Sequence, residues 1–205
     1  SAFEYYSGMG FNRSVNTDPD GSYYAMRSVN STKYLVIQSY KLEYSDTKTL
    51  LENLKNFEKI DEQDGFTIFK NKAYIPIGYS NSYYISDDEY EKIAKSNRDN
   101  MLARAVVLTD EQIEKYSDIL PELEPDRYSD FNYYTFEKDA QELAKTAVDT
   151  FTPTANGFKA TSSFTEDRFV TFTVPWESGW SATINGEKAE IEKVNRGVMG
   201  IKVPA

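Results

Sequence analysis

The chain has 205 residues, 40% hydrophobic and 27% charged, the composition of a folded protein long enough to bury its own core. Its net charge of −10 argues against nucleic acid and against electrostatic docking to anionic lipid, both of which need a basic surface. Cysteine and histidine are both absent, which excludes disulfides, thiolate and Ser-His-Asp catalysis and nearly all zinc chemistry, and leaves carboxylates, Lys, Tyr or an oxygen-bound cation for any catalysis.

Residues 1–22 are polar and aromatic. Asn16-Thr17-Asp18-Pro19-Asp20-Gly21 has the alternating oxygen ligands and sixth-position glycine of a calcium loop, but the twelfth position is Arg27, where a bidentate carboxylate is needed. The segment reads as an Asx/Pro turn and no metal site is expected. Asn12-Arg13-Ser14 and Asn30-Ser31-Thr32 are sequons. Tyr34-Leu35-Val36-Ile37 is a continuous apolar run, the pattern of a buried strand. Ser45 or Asp46 then caps a helix with Leu50, Leu51, Leu54 and Phe57 on one face. Strands are expected over Phe57–Ile60 and Phe66–Lys70, around a Gln63-Asp64-Gly65 turn, with an extended segment through Pro76 to Tyr79.

Ser86-Asp87-Asp88-Glu89 is a capping box opening a helix with Tyr90, Ile93, Ala94, Asn97, Met101, Leu102 and Ala105 at helical spacing. Val106-Val107-Leu108 reads as a strand. Thr109-Asp110-Glu111-Gln112 is a second capping box, before a short helix carrying Ile113, Tyr116 and Leu120. A further helix is expected from about Glu137 to Thr150, and Thr152–Gly157 as a turn or linker. Beyond it the texture is β: Phe158–Phe164, Arg168–Val174, Trp180–Ile184, Glu187–Val194 and Val198–Val203, with turn signals at roughly 8–12-residue spacing. Asn185-Gly186 is a strong hairpin signal, because a type I′ turn needs φ > 0 at both central residues. The expected fold is α+β: a mixed α/β region over 1–150, then an antiparallel β-sandwich-like module over 151–205 lacking a final strand, so that its last strand is an open edge.

Gly179-Trp180, the Ile184-Asn185-Gly186 turn and Gly197-Val198-Met199-Gly200-Ile201-Lys202-Val203-Pro204-Ala205 together resemble the C-terminal signature of the YfhO family of bacterial membrane proteins. Lys33-Tyr34-Leu35-Val36-Ile37 and Ile68-Phe69-Lys70-Asn71, with Ala73 and Pro76 following, resemble two upstream segments of that family. The resemblance implies a fragment: the soluble extracytoplasmic domain of a polytopic protein at the cell membrane, with a GT-C-like membrane body implicated in glycosylating cell-wall polymers such as lipoteichoic acid. It implies a non-catalytic domain that positions an acceptor or makes interactions. No cofactor is implied and no catalytic residue is carried over. The partners implied are a cell-wall polymer or lipid-linked sugar and the transmembrane portion of the same chain. A stand-alone carbohydrate-binding module or a purely structural interaction domain is the alternative.

Both tryptophans lie in the stretch Val174–Gly186, which makes it the candidate sugar site. Trp176 and Glu177 would supply an aromatic platform and a hydroxyl acceptor, while Asn185 and Arg196 would form a polar rim. Trp180 alternates with Ser181 and Thr183 and is expected to point inward, leaving Trp176 as the exposed ring. Glu166-Asp167 and Asp87-Asp88-Glu89 are the paired carboxylates, the second set already accounted for by a helix N-terminus.

Overall fold

The computed structural model describes residues 2–11 and 24–205. The calcium-like stretch Asn16–Gly21 and the sequon at Asn12 lie outside the described residues. Helices and antiparallel sheets are both well represented, giving the expected α+β class.

The first sheet comes from β1 (Tyr34–Gln38), β2 (Phe57–Gln63) and β3 (Phe66–Asn71), in the order β1-β3-β2 and antiparallel throughout. Asp64 and Gly65 make its tight turn, both at positive φ (50° and 78°) as a two-residue hairpin requires. The expectation that residues 34–37 form a buried strand is wrong. β1 is an edge strand with one face outward, and Tyr34 and Val36 are 48% and 56% exposed. A continuous apolar run fits burial on both faces, yet only one face of this sheet meets the body. Between β1 and β2, α3 (Ser45–Asn53) starts without a side-chain cap: Tyr44, not Ser45 or Asp46, occupies the capping position.

At the end of β3, Asn71 ties the sheet down. Its Oδ1 accepts from Asn56 Nδ2 (2.7 Å) and from the amide of Ala73 (2.9 Å), and its Nδ2 donates to Ser28 Oγ (3.1 Å) and to the carbonyl of Thr32 (2.9 Å). Ser28 belongs to α2 (Met26–Val29), so one buried amide joins three segments.

In the middle of the chain, β4 (Tyr84–Ser86) and β5 (Val106–Leu108) pair in parallel, joined through α4 (Asp87–Lys92) and α5 (Arg98–Met101). The single helix expected from Ser86 to Ala105 breaks, since Ile93 and Ala94 take extended ψ (134° and 135°). Arg98 holds the break: its guanidinium donates to the carbonyls of Ile93 (3.1 Å), Glu91 (2.6 Å) and Gly8 (3.2 Å). The first two are carbonyls that an unbroken helix would have used itself. Both capping boxes form in part or whole. Ser86 Oγ accepts from the amide of Glu89 (3.2 Å), while Thr109 and Gln112 bond reciprocally at the start of α6 (Asp110–Tyr116). α7 runs Tyr133–Ala144, starting earlier than expected because Asn132 caps it. The 152–157 linker is instead a hairpin of β6 (Thr150–Thr154) and β7 (Gly157–Thr161). Pro153 is tolerated there because a two-stranded ribbon has free edges.

The remaining strands are β8 (Arg168–Pro175), β9 (Ala182–Ile184), β10 (Glu187–Ala189), β11 (Glu192–Val194) and β12 (Val198–Val203). Asn185 (φ 54°) and Gly186 (φ 89°) close the predicted hairpin. The expected single return strand 187–194 divides after Ala189: β10 pairs with β9, whereas β11 joins a different sheet of order β11-β12-β8. The last strand is therefore the central strand of its sheet and not the open edge the sequence led us to expect. The outer edge of β8 is met by Tyr79, which exchanges two backbone hydrogen bonds with Thr171 (3.1 and 2.7 Å).

This second three-stranded sheet separates two cores. Phe169, Val194 and Val198 face the large core with α1 (Ala2–Gly8), β4, β5 and α6, the Phe169 ring lying 4.7 Å from that of Tyr116. Val170, Phe172, Met199 and Ile201 face a smaller core closed by the β6–β7 and β9–β10 hairpins. Residues from both sides of position 150 thus share the large core. Gly200 has no room for a side chain, since a Cβ there would come within 2.6 Å of the Phe169 ring.

Candidate functional site

A groove of about 800 Å³ opens where α1, α4, the β5–α6 junction and the β11–β12 turn meet. Its floor is set by Asn195 and Arg196, both at positive φ (50° and 63°). Asn195 is buried and docks the turn onto β5: its amide donates to the Val107 carbonyl (3.1 Å) and its Oδ1 accepts from the Val107 amide (2.8 Å). That fixes the direction of Arg196, whose Nε and Nη2 both reach the Asp87 carboxylate (2.5 and 2.9 Å), with Glu91 at 3.3 Å. The Tyr90 ring lies under two guanidiniums, Arg98 at 5.6 Å and Arg196 at 5.7 Å from its centroid. Gly8 leaves space for the Arg196 stem, as a Cβ there would stand 3.0 Å from Arg196 Cδ.

The charge of this groove is unlike that of the protein. Glu4, Asp87 and Glu91 face four cations: Lys95, Arg98, Lys193 and Arg196. Lys193 pairs with Glu4 at 2.7 Å, and this contact holds the Glu4 carboxyl down at about 2. Arg98 donates to three backbone carbonyls and, like Lys95, forms no ion pair with a carboxylate among the described residues. The groove carries one net positive charge in a chain of net −10.

A second cleft, of about 640 Å³, lies between Ser80–Tyr83, the 126–130 segment and α7. Arg104 closes its base, donating to Asp139 Oδ2 (2.6 Å) and to the carbonyls of Arg127 (2.9 Å), Ser129 (2.7 Å) and Asp130 (3.2 Å). Asn81 lines this cleft, buried, with its Oδ1 lacking a hydrogen-bond partner.

The five sequence candidates do not converge. Arg196 lines the first groove, and Asn185 sits at the β9–β10 tip beside Lys115, Lys188 and Lys202. Glu177 is exposed in the loop before β9. Trp176, expected to be the exposed ring, is half-buried on the smaller core, and its indole N–H donates to the Ile191 carbonyl (3.4 Å). Its backbone amide bonds Gly197, which draws the loop back onto the sheet. Trp180 does turn inward, tilted over Phe158 with centroids 6.1 Å apart. Lys95 and Arg98 escaped the sequence reading, which picked out only the apolar positions and Asn97 of a helix that does not form as one piece.

Four of the five carboxylates noted in the sequence are engaged in ion pairs: Glu166 with Arg168 (2.5 Å), Asp167 with Lys202 (3.1 Å), Asp87 with Arg196 and Glu89 with Lys92 (2.5 Å). Among the described residues, the carboxyl pushed upward by burial, to about 6, is that of Asp99, which is fully buried and lines neither groove. No described helix is long and apolar enough to cross a membrane.

No curated protein and no solved structure matches the chain. Residues 127–205 match the family described as bacterial membrane protein YfhO. The match begins in the segment that Arg104 holds and takes in α7 and every strand from β6 to β12. The upstream segments at Lys33–Ile37 and Ile68–Pro76 fall outside it. Both grooves lie along the seam between matched and unmatched parts. Over residues 127–205, fewer than half of its length, the chain is similar to the bacterial membrane protein YfhO family.

Proposed function

We propose that this chain is the extracytoplasmic domain of a polytopic membrane protein implicated in glycosylating cell-wall polymers such as lipoteichoic acid, and that it positions the acceptor without performing the transfer. The reversal of charge in the Arg196 groove carries this reading. A phosphate-bearing polymer is repelled by a body of net −10, yet finds four cations against three carboxylates in this groove. Lys95, exposed and without a carboxylate partner, is the group that meets phosphate oxygens most directly, while the buried Arg98 adds positive charge from beneath the groove. The non-catalytic role is supported by the carboxylates: a general acid needs a raised pKa in a cleft, and Asp99 has the first without the second. Trp176, Glu177, Trp180 and Asn185 play no part in this reading.

Backbone amide shifts should be followed while glycerol-phosphate oligomers are titrated. We expect shifts at Lys95, Arg98 and Arg196, affinity that falls with salt, and roughly tenfold weaker binding for Lys95→Glu, because the reversal replaces an attractive exposed contact with a repulsive one. Unchanged shifts at millimolar ligand, or equal affinity in the variant, would overturn it. The unpartnered Asn81 oxygen favours a second reading, a carbohydrate-binding module taking a neutral sugar in the Arg104 cleft. Shifts confined to Ser80–Tyr83 with neutral glycosides would support that reading instead.

A further inference from the structure

The outward face of the β1-β3-β2 sheet carries Tyr34 and Val36 on β1, Ile68 opposite Val36 and Phe66 opposite Gln38 on β3, and Ile60 at the β2 bulge, with Lys70 opposite Tyr34. The turn after β1 adds Tyr40 and Tyr44, 59% and 61% exposed, with rings packed edge to face 6.3 Å apart. Exposed apolar side chains gathered on one sheet face and the turn beside it, interleaved with Lys70, Glu58 and Asp61, mark an interaction surface. Two observations name its occupant. First, the rings are tyrosines carrying lysine stems: Lys33 Nζ lies 5.4 Å from the Tyr34 centroid and Lys41 Nζ 6.0 Å from that of Tyr40. Amphipathic rings and snorkelling lysines suit the level of lipid headgroups better than a dry protein interface. Second, residues 33–72 contain seven lysines and seven carboxylates, so the rest of the chain carries the entire −10. Near a membrane the acidic body is pushed away, and this neutral face is the one that approaches at least cost. Glu58 and Asp61, outward on β2, set the tilt: the β1 edge enters and the β2 edge stays in water.

We propose that this face rests on the lipid–water interface of the membrane, with Tyr34, Val36, Tyr40 and Tyr44 inserted at headgroup depth. The attachment is apolar and interfacial, which distinguishes it from the electrostatic docking excluded by the net charge. It is independent of the Arg196 groove, and its failure would leave the acceptor reading standing. Flotation of the whole chain with phosphatidylcholine vesicles, at about 5 mM lipid, tests it. Part of the protein should float, 0.5 M salt should not release it, and phosphatidylglycerol should not strengthen it. Combining Val36→Ser, Tyr40→Ser and Tyr44→Ser should lower partitioning about tenfold, since each removes buried apolar surface, while Tyr134→Ser, on a tyrosine 81% exposed but outside this face, should change nothing. Tyr44→Ser alone, with a smaller loss, serves if the triple variant misfolds. Absence of flotation, equal loss with Tyr134→Ser, or a lipid-free dimer abolished by the triple change would each overturn the proposal.

Discussion

Among the described residues, two antiparallel three-stranded sheets live in opposite surroundings. β11-β12-β8 lies between two cores, with Phe169 and Val198 on one face and Val170, Phe172, Met199 and Ile201 on the other. β1-β3-β2 buries Thr67, Phe69 and Asn71 on the inward face of its central strand and shows the other face to solvent, with Tyr34, Val36 and Phe66 outward. Both read in sequence as apolar strands. Apolar content therefore reports that a strand can be buried, not that the fold supplies a layer on each side of it. Where no second layer comes from the chain itself, the exposed face is available for something else.

Equivalent truncations in the two sheets give the largest contrast. Phe169 is fully buried, faces Tyr116 and roofs Gly200, so Phe169→Ala should cost about 3–5 kcal/mol in urea unfolding. Phe66, 41% exposed beside the Asp64-Gly65 turn, should lose less than about 1 kcal/mol on the same change. Equal losses at the two sites would mean that the outward face of β1-β3-β2 is covered in solution.

The core beneath the buried sheet also carries a polar burden that the exposed sheet does not. Asp99 is fully buried, with Oδ1 accepting from the amide and side chain of Asn100 (both 2.9 Å) and Oδ2 unpartnered. Burial raises its pKa from 3.8 to about 6. A carboxyl with a higher pKa folded than unfolded holds its proton longer in the native state. Stability from this group is then greatest below about pH 4, falls as pH rises through 6, and stays low beyond it. The difference corresponds to about 2 kcal/mol between pH 4 and pH 7. Asp99→Asn should remove that slope and gain stability at pH 7 while changing little at pH 4. A variant that follows the parent's pH profile throughout this range would show that Asp99 is not the group responsible.

The sequence made legible what depends on neighbours along the chain. Asn185-Gly186 and Asp64-Gly65 form hairpins because left-handed φ is cheap at those residues, and Thr109–Gln112 caps α6 because the partners are three residues apart. It failed where a distant group decides. The helix after Ser86 obeys its apolar spacing until Arg98 captures the carbonyls of Glu91 and Ile93, and no local pattern announces that. The strand after Gly186 divides at Glu190 because β11 finds β12, and the last strand becomes central because β8 lies beyond it. The same holds for the sites. Trp176 looked exposed in a loop, but its partners Ile191 and Gly197 come from later in the chain, whereas the cations of the groove gather from two distant stretches, Lys95 with Arg98 and Lys193 with Arg196. Pairwise distance in space is the quantity that periodicity does not carry.

The smallest effect sharpens the comparison most, because one substitution can be made in both sheets. Val36→Thr and Val198→Thr conserve shape and exchange a methyl for a hydroxyl. At Val198, 2% exposed, the hydroxyl enters the large core and should cost about 1–2 kcal/mol unless it finds a carbonyl. At Val36 the hydroxyl meets water, threonine suits a strand as well as valine does, and the change should stay within about 0.5 kcal/mol. A neutral result at Val36 carries information only when read beside vesicle flotation. A residue that contributes nothing to folding and yet weakens lipid attachment is kept apolar for the surface it meets, not for the core it leaves. If Val36→Thr instead destabilises the chain as much as Val198→Thr does in the absence of lipid, the face is already covered by protein, and the contrast between the two sheets disappears with it.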